Sequence, residues 1–274
     1  MIILRPDSGL CNRLRAIGSA IRLARECGSS LTVEWYRCPL RRWAGLCGMR
    51  VGFCDLFEPL GSVPVREKIK VRNDFPWNAK WWNAKNPQFY GEERRAQFVE
   101  DVKSEPSVMR RLRTCHDFYH NEDWSWMRPR AEILNSVDAV SESFGRNCIG
   151  IHIRRTDNRA AIAASPLTLF IDKMDAEERR DATVRFFLST DDADTRMELK
   201  QRYGDRLVFC ANVAPRYTIK GERDALVDLL LLSRTKKIYG SYWSSFSQVA
   251  AQIGHLPLEV LVAKGVELPP WAVN

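Results

Sequence analysis

Two adjacent arginines sit in the run His152-Ile-Arg154-Arg155-Thr156-Asp157. Crowding two guanidiniums is unfavourable unless an anion or carboxylate lies between them. The planar guanidinium fork suits a diphosphate, to which it offers paired charge-assisted hydrogen bonds. In an extended strand His152 and Arg154 share one face while Arg155 points the other way, where it could instead form a structural ion pair with Asp157. A second run is Leu188-Ser-Thr-Asp191-Asp192-Ala-Asp194. Thr190 or Asp191 can cap a following helix, and acids favour its first turn. The Asp192-x-Asp194 spacing also suits a divalent cation, but capping accounts for the same acids and no metal is expected.

Asp228 is the only acid between Leu226 and Leu232. A carboxylate can accept two hydrogen bonds from the N1 and exocyclic amine of a guanine; a solvent-facing acid on an amphipathic helix fits the spacing as well. The stretch Gly240-Ser-Tyr-Trp-Ser244-Ser245-Phe246-Ser247-Gln248 follows an apolar strand and opens a helix. Hydroxyls and backbone N–H groups at such a helix start form a natural phosphate site, with ordinary capping as the alternative. Near the N-terminus, Gly9-Leu-Cys-Asn12-Arg13 makes a similar turn without G-x-G-x-x-G or a Gly-Lys-Ser/Thr ending. Its backbone could approach a diphosphate, or it could be a plain turn and cap.

These residues need elements to position them. Ile2 to Leu4 reads as a strand, Leu14, Ile17, Ile21 and Ala24 as the buried face of a helix ending near Gly28, and Leu31 to Tyr36 as a second strand. From residue 148 the pattern alternates. Strands are expected at 148–153, 184–188, 206–209 and 237–239, and helices at 192–203, 222–234 and 245–254. Alternation of this kind predicts an α/β chain with parallel sheets covered on both faces. We expect two Rossmann-like domains, 1–145 and 146–274, facing a cleft, with a hinge near Gly145. Ligands in such sheets lie beyond the strands' carboxyl ends, so the loops after residues 5, 153, 188 and 239 matter most. The segment from Arg37 to about His120 is less regular and rich in Trp, Pro and Arg.

The 274 residues carry a net charge of +8, spread through Arg-Arg pairs rather than concentrated in a block, so a solvated basic surface is expected and a nucleic-acid footprint is not. Met1-Ile2-Ile3-Leu4 is too short for a signal-peptide core, and Asp228 interrupts the longest apolar run. A cytoplasmic protein is expected, with no transmembrane segment and a possible peripheral association with a membrane. Its eight cysteines are then expected to be free thiols, and the four histidines complete no zinc spacing.

Taken together, Gly9 to Arg13, His152 to Asp157, Leu188 to Asp192, Asp228 with Ser233, and Ser244 to Ser247 resemble, in the same order, the motifs of the fucosyltransferase superfamily of α-1,2-, α-1,6- and protein O-fucosyltransferases. The resemblance covers residues 1–25 and most of 147–255. It implies a GT-B fold and inverting, metal-independent transfer from GDP-fucose, which is a substrate, so no cofactor is expected. It further implies Arg154 on the β-phosphate as the central catalytic residue, assisted by Ser244, Ser245, Phe246 and Ser247. His152 and Asp228 would address the guanosine, Asp157 and Asp191 would lie in the donor pocket, and Gly9 and Asn12 would line it from the first half. The acceptor would be a glycan or other hydroxyl compound, taken on the N-terminal side.

One departure stands out. The α-1,6 enzymes carry a glutamate shortly after the arginine run, whereas Asn158 to Ser165 contains no acid. The base is therefore unassigned, with Asp7 in the first loop as a weak candidate. Alternatives are a transferase using another GDP-hexose, or a non-catalytic basic module for nucleic acid or acidic glycan. The aromatic cluster Trp77, Trp81, Trp82, Phe89 and Tyr90 could serve as an acceptor platform or fill core.

Overall fold

The computed structural model describes residues 1–38, 49–69, 92–156, 159–210 and 218–266. Asp157 and the aromatic cluster of 77–90 lie outside the described residues. The chain divides into two compact units. One comprises Met1–Ile133 with Ala214–Leu226, the other Leu134–Val213 with Val227–Asn274.

The first unit is built on strands β1 (Ile2–Pro6), β2 (Leu31–Arg37), β3 (Val65–Ile69) and β4 (Arg110–Thr114), with helices α1 (Leu10–Glu26) and α2 (Glu92–Ser104). The strands form an all-parallel sheet in the order β3-β2-β1-β4. Leu14, Ile17, Ala20 and Leu23 of α1 are buried with Leu4, Val33, Trp35, Phe53 and Phe57. Of the face expected from the sequence, Leu14, Ile17 and Ala24 are buried, whereas Ile21 is only half-buried and Ala20 and Leu23 complete the stripe.

The second unit follows α3 (Ala131–Ser141). It contains β5 (Cys148–Ile153), α4 (Arg159–Ala164), α5 (Leu167–Arg180), β6 (Arg185–Thr190), α6 (Ala193–Tyr203), β7 (Leu207–Val208), α7 (Ile219–Ser233), β8 (Ile238–Ser241), α8 (Ser245–Gly254) and β9 (Leu258–Leu261). The division between units falls inside α7. The second sheet is also all-parallel, in the order β7-β6-β5-β8-β9. Its central strand β5 is buried along its whole length, as both faces of an interior parallel strand must be. Ile149, Ile151 and Ile153 pack with Phe170, Met174, Phe186 and Leu188.

In each sheet the chain runs outward from the founding strand on one side and then returns to the other. The order reverses between β1 and β4, and again between β5 and β8. Crevices beyond the carboxyl ends at such reversals are where ligands settle in open α/β sheets. Among the described residues, no helix is long and apolar enough to cross a membrane.

Candidate functional site

The reversal in the second sheet brings together the two loops singled out in the sequence. β5 and β8 pair in parallel with His152 opposite Gly240, so both chains leave the sheet at the same edge. Just beyond, the buried Ser241 hydroxyl ties the loops to each other. It accepts the Arg154 backbone N–H at 3.0 Å and donates to the His152 carbonyl at 3.3 Å. The His152 ring lies against Phe246, with centroids 5.0 Å apart and planes inclined by 25°. His152 and Phe246 thus form a stacked pair directly beneath the arginine loop.

The turn after β8 is shaped by capping and close packing. Ser244 caps α8, its hydroxyl accepting the Phe246 N–H at 3.3 Å. Ser247 is fully buried and donates to the Ser244 carbonyl. It packs so tightly on β8 that a methyl group at Gly240 would stand 2.6 Å from its Oγ and 2.8 Å from its Cβ. Glycine at 240 is therefore what lets the helix start sit on the strand end. The Ser245 hydroxyl makes no hydrogen bond among the described residues, and α8 has no acid in its first turn. Ser244 and Ser247 are structural hydroxyls, while Ser245 and the first-turn N–H groups are what the turn offers a ligand.

The acids are distributed differently from the capping expectation. β6 runs on to Thr190, and Asp192, rather than Thr190 or Asp191, caps α6 through the Thr195 N–H at 2.8 Å. Hydrogen bonding from Thr195 holds the Asp192 carboxyl below its usual range. This fixes the first acid of the Asp192-x-Asp194 pair, and among the described residues no cluster suited to a metal ion is found. Asp191 turns the other way: it accepts the Arg155 N–H at 2.7 Å and the Thr156 hydroxyl at 2.6 Å, and so orders the loop that carries Arg154. Asp228 is not a loose surface acid. It is half-buried on α7 and accepts the buried Ser189 hydroxyl of β6 at 2.8 Å.

Ser165, which no sequence pattern marked, braces the same edge. Its buried hydroxyl accepts the Tyr242 N–H at 2.8 Å and donates to the Leu261 carbonyl at 2.5 Å, locking the turn after β8 to the end of β9. Ser165 and Ser241 were missed because their partners are remote in sequence. The only signal was their position beside a helix start and a strand end.

At the reversal in the first sheet, Gly9 stands at the N-cap of α1 with no side-chain cap. Its φ of −77° is ordinary, and a methyl group there would meet nothing within 4 Å. Neither backbone nor packing calls for glycine, so the open space before it is what its small size preserves. Asn12 is spanned between neighbours, donating to Ser8 Oγ at 3.1 Å and accepting from Arg15 at 3.0 Å. Asp7 is buried: Oδ2 takes two guanidinium nitrogens of Arg113, Nε at 2.7 Å, and Oδ1 accepts the Ser8 N–H at 2.9 Å. Arg13 is fully buried over the Trp35 ring, its Nε on the Ser8 carbonyl at 3.0 Å. Burial pulls its pKa down to about 10, against the nearby charges of Asp7 and Glu222.

No protein-family model matches the chain, and no curated protein matches it in sequence. Its structure does have relatives. The fucosyltransferase NodZ from Bradyrhizobium is 20% identical, with 91% of this chain and 90% of that one covered and a TM-score of 0.61. A mutant of Arabidopsis thaliana FUT1 in complex with GDP is 15% identical, over 94% of this chain and 69% of that one, at a TM-score of 0.59. POFUT1 in complex with GDP-fucose is 10% identical, over 93% and 96%, at 0.56. The chain has the fucosyltransferase fold. This is the two-sheet α/β organisation expected from the motifs, and the fucosyltransferase fold carries both parallel sheets across nearly the whole length of the chain.

Proposed function

We propose that this protein is an inverting, metal-independent glycosyltransferase that moves fucose from GDP-fucose to a hydroxyl of a glycan or other acceptor. The observation that carries the reading is the Ser241 bridge, which holds the Arg154 loop and the α8 turn side by side at the strand-order reversal of the second sheet. The loop that carries Arg154, the Ser245 hydroxyl and the N-terminus of α8 then lie at one sheet edge, where a diphosphate would be held. Asp228, which accepts the hydroxyl of Ser189, the residue paired with His152 in the sheet, would address the guanine edge. Relatives of the same fold were crystallised with GDP or GDP-fucose, which is the ligand this arrangement suits.

In the reaction the acceptor oxygen bonds to the anomeric carbon as the bond from that carbon to the β-phosphate oxygen breaks, inverting the centre. The electron pair leaves with GDP, and the acceptor proton passes to solvent or a base. Arg154 and the α8 turn stabilise the charge growing on the leaving diphosphate, a preorganised contribution typically worth two to three orders of magnitude in rate. A transition state with much oxocarbenium character asks little of a base. Asp7, with its oxygens on Arg113 and Ser8, is better suited to bracing the first loop than to accepting a proton. The open Gly9 turn supports an approach of donor or acceptor to the first unit's backbone.

The test is a thermal-shift series. GDP and GDP-fucose should raise Tm, UDP and RNA should not, and EDTA should leave the GDP shift unchanged. A shift with UDP equal to that with GDP, or one that requires manganese, would refute the reading.

A further inference from the structure

β8 is joined to both neighbours by parallel ladders, and each ladder ends on a serine hydroxyl. On the β9 side the Ile238 N–H donates to the Pro257 carbonyl at 2.9 Å, and pairing continues to Ser241 and Leu261. Carried on in that register, the Tyr242 N–H would meet the Leu261 carbonyl. The Ser165 hydroxyl stands between them instead, accepting from the first at 2.8 Å and donating to the second at 2.5 Å. On the β5 side the Gly150 N–H donates to the Lys237 carbonyl at 2.9 Å, and the same register would bring the Arg154 N–H to the Ser241 carbonyl. It donates to the Ser241 hydroxyl, at 3.0 Å.

A hydroxyl set into a ladder replaces one hydrogen bond between strands by two in series, so the chains beyond it must part. Ser165 is only 1% exposed, which keeps bulk water from taking its place. It is also held from behind: it directly follows α4, whose last residue, Ala164, accepts the Ala263 N–H at 2.8 Å. The turn it supports has little slack. Trp243 holds a left-handed φ of +54°, and Ser244 is committed to capping α8. A displacement of Tyr242 is therefore passed on to the start of α8.

Resting on the function proposed above, we infer that Ser165 is a positioning residue for the diphosphate site. Its hydroxyl sets how far the α8 turn stands off β9, and with it where Ser245 and the first-turn N–H groups meet the ligand. Ser241 does the same for the arginine loop on the other flank of β8. Without the Ser165 hydroxyl, the Tyr242 N–H and the Leu261 carbonyl can close on each other in the ordinary ladder. That recovers a hydrogen bond and limits the loss of stability, but it draws the turn out of place. The signature of the role is a loss of ligand affinity out of proportion to the loss of Tm.

The test uses the full chain, with GDP titrated calorimetrically at a temperature where every variant is folded. Ser165→Ala should weaken GDP about 10-fold, the value of one hydrogen bond to a charged group. Ser165→Cys fills the site with a much weaker hydrogen-bonding group and should weaken GDP as well, so a misfolded alanine variant does not decide the matter. Thr235→Val is the control. The buried Thr235 hydroxyl donates to the Leu232 carbonyl at 2.8 Å, before the opposite end of β8. Its loss should lower Tm comparably and leave GDP affinity unchanged. Ser165 variants that bind GDP like wild type, or a loss of GDP affinity in Thr235→Val equal to theirs, would overturn the inference. A wild-type protein that binds neither GDP nor GDP-fucose would instead sink the proposed function itself.

Discussion

Gly240→Ala separates the role of the α8 turn from that of the fold around it. The added methyl would lie 2.8 Å from Ser247 Cβ and 3.2 Å from Leu258 Cδ1. Ordinary carbon contacts need about 3.5–4.0 Å, so the first turn of α8 must retreat by roughly 1 Å. Overpacking of this kind costs about 1–3 kcal/mol, which for a chain of this size lowers Tm by roughly 2–8 °C. The functional effect should be disproportionate. A misplacement of about 1 Å in a positioning element can cost about 100-fold, because on the proposed function the Ser245 hydroxyl and the helix N–H groups would move away from the diphosphate. Differential scanning fluorimetry gives the stability term, and GDP titration with donor turnover gives the functional one. Adding Ser247→Gly removes both Oγ and Cβ from the methyl's path and should restore most of the GDP affinity, even though glycine in a helix costs about 1 kcal/mol. A Gly240→Ala protein that melts early yet binds GDP like wild type would refute the idea that this turn grips the ligand.

Arg154→Ala should lower donor turnover by about two to three orders of magnitude with circular dichroism unchanged, since the Ser241 bridge holds only its backbone. For the first unit, burial lowers the His116 pKa, and the Arg15 and Arg95 charges lower it further, against Asp117. A depressed histidine contributes stability above its ordinary value near 6.5, and this is lost as pH falls through the folded-state value. Wild type should therefore lose more Tm than His116→Gln between neutral pH and pH 5, as read by calorimetry; equal losses would show that His116 does not feel those charges.

Much of the second unit could be read from the chain because its interior strands are buried on both faces. The alternating Ile residues of β5 and the Phe-Phe-Leu of β6 have no polar side to blur the pattern. Edge strands lack that signature. Val65-Arg-Glu-Lys-Ile69 and Arg110-Arg-Leu-Arg-Thr114 close the first sheet with mostly charged residues, and neither was recognised. Helix α5 was legible in principle, since Pro166 stands at its start and Phe170, Met174 and Glu177 form its buried stripe. Its density of acids and bases hid that pattern. The arginine loop and the α8 turn could be found because residue type alone limits their chemistry. Their bond through Ser241 could not, because a serine gives no hint of a partner 87 residues away. The cap moved from the expected position to Asp192 because β6 runs two residues beyond its apolar core.

Both units bring a helix N-terminus to a strand-order reversal, and electrostatics separates the two. At α1 part of the charge is committed: Arg113 and the Ser8 N–H both serve Asp7, Arg15 donates to Asn12, and Arg13 lies buried on Trp35 with its Nε on the Ser8 carbonyl. An anion arriving there would face the Asp7 carboxylate, although α1 too has no acid in its first turn and no side-chain cap. At α8 the first turn likewise has no acid, the Ser245 hydroxyl makes no hydrogen bond among the described residues, and Asp191 is occupied in ordering the arginine loop. The second edge thus joins an acid-free helix start to the arginine loop, while the first sets an acid-free helix start beside the buried Asp7 carboxylate and the open step at Gly9.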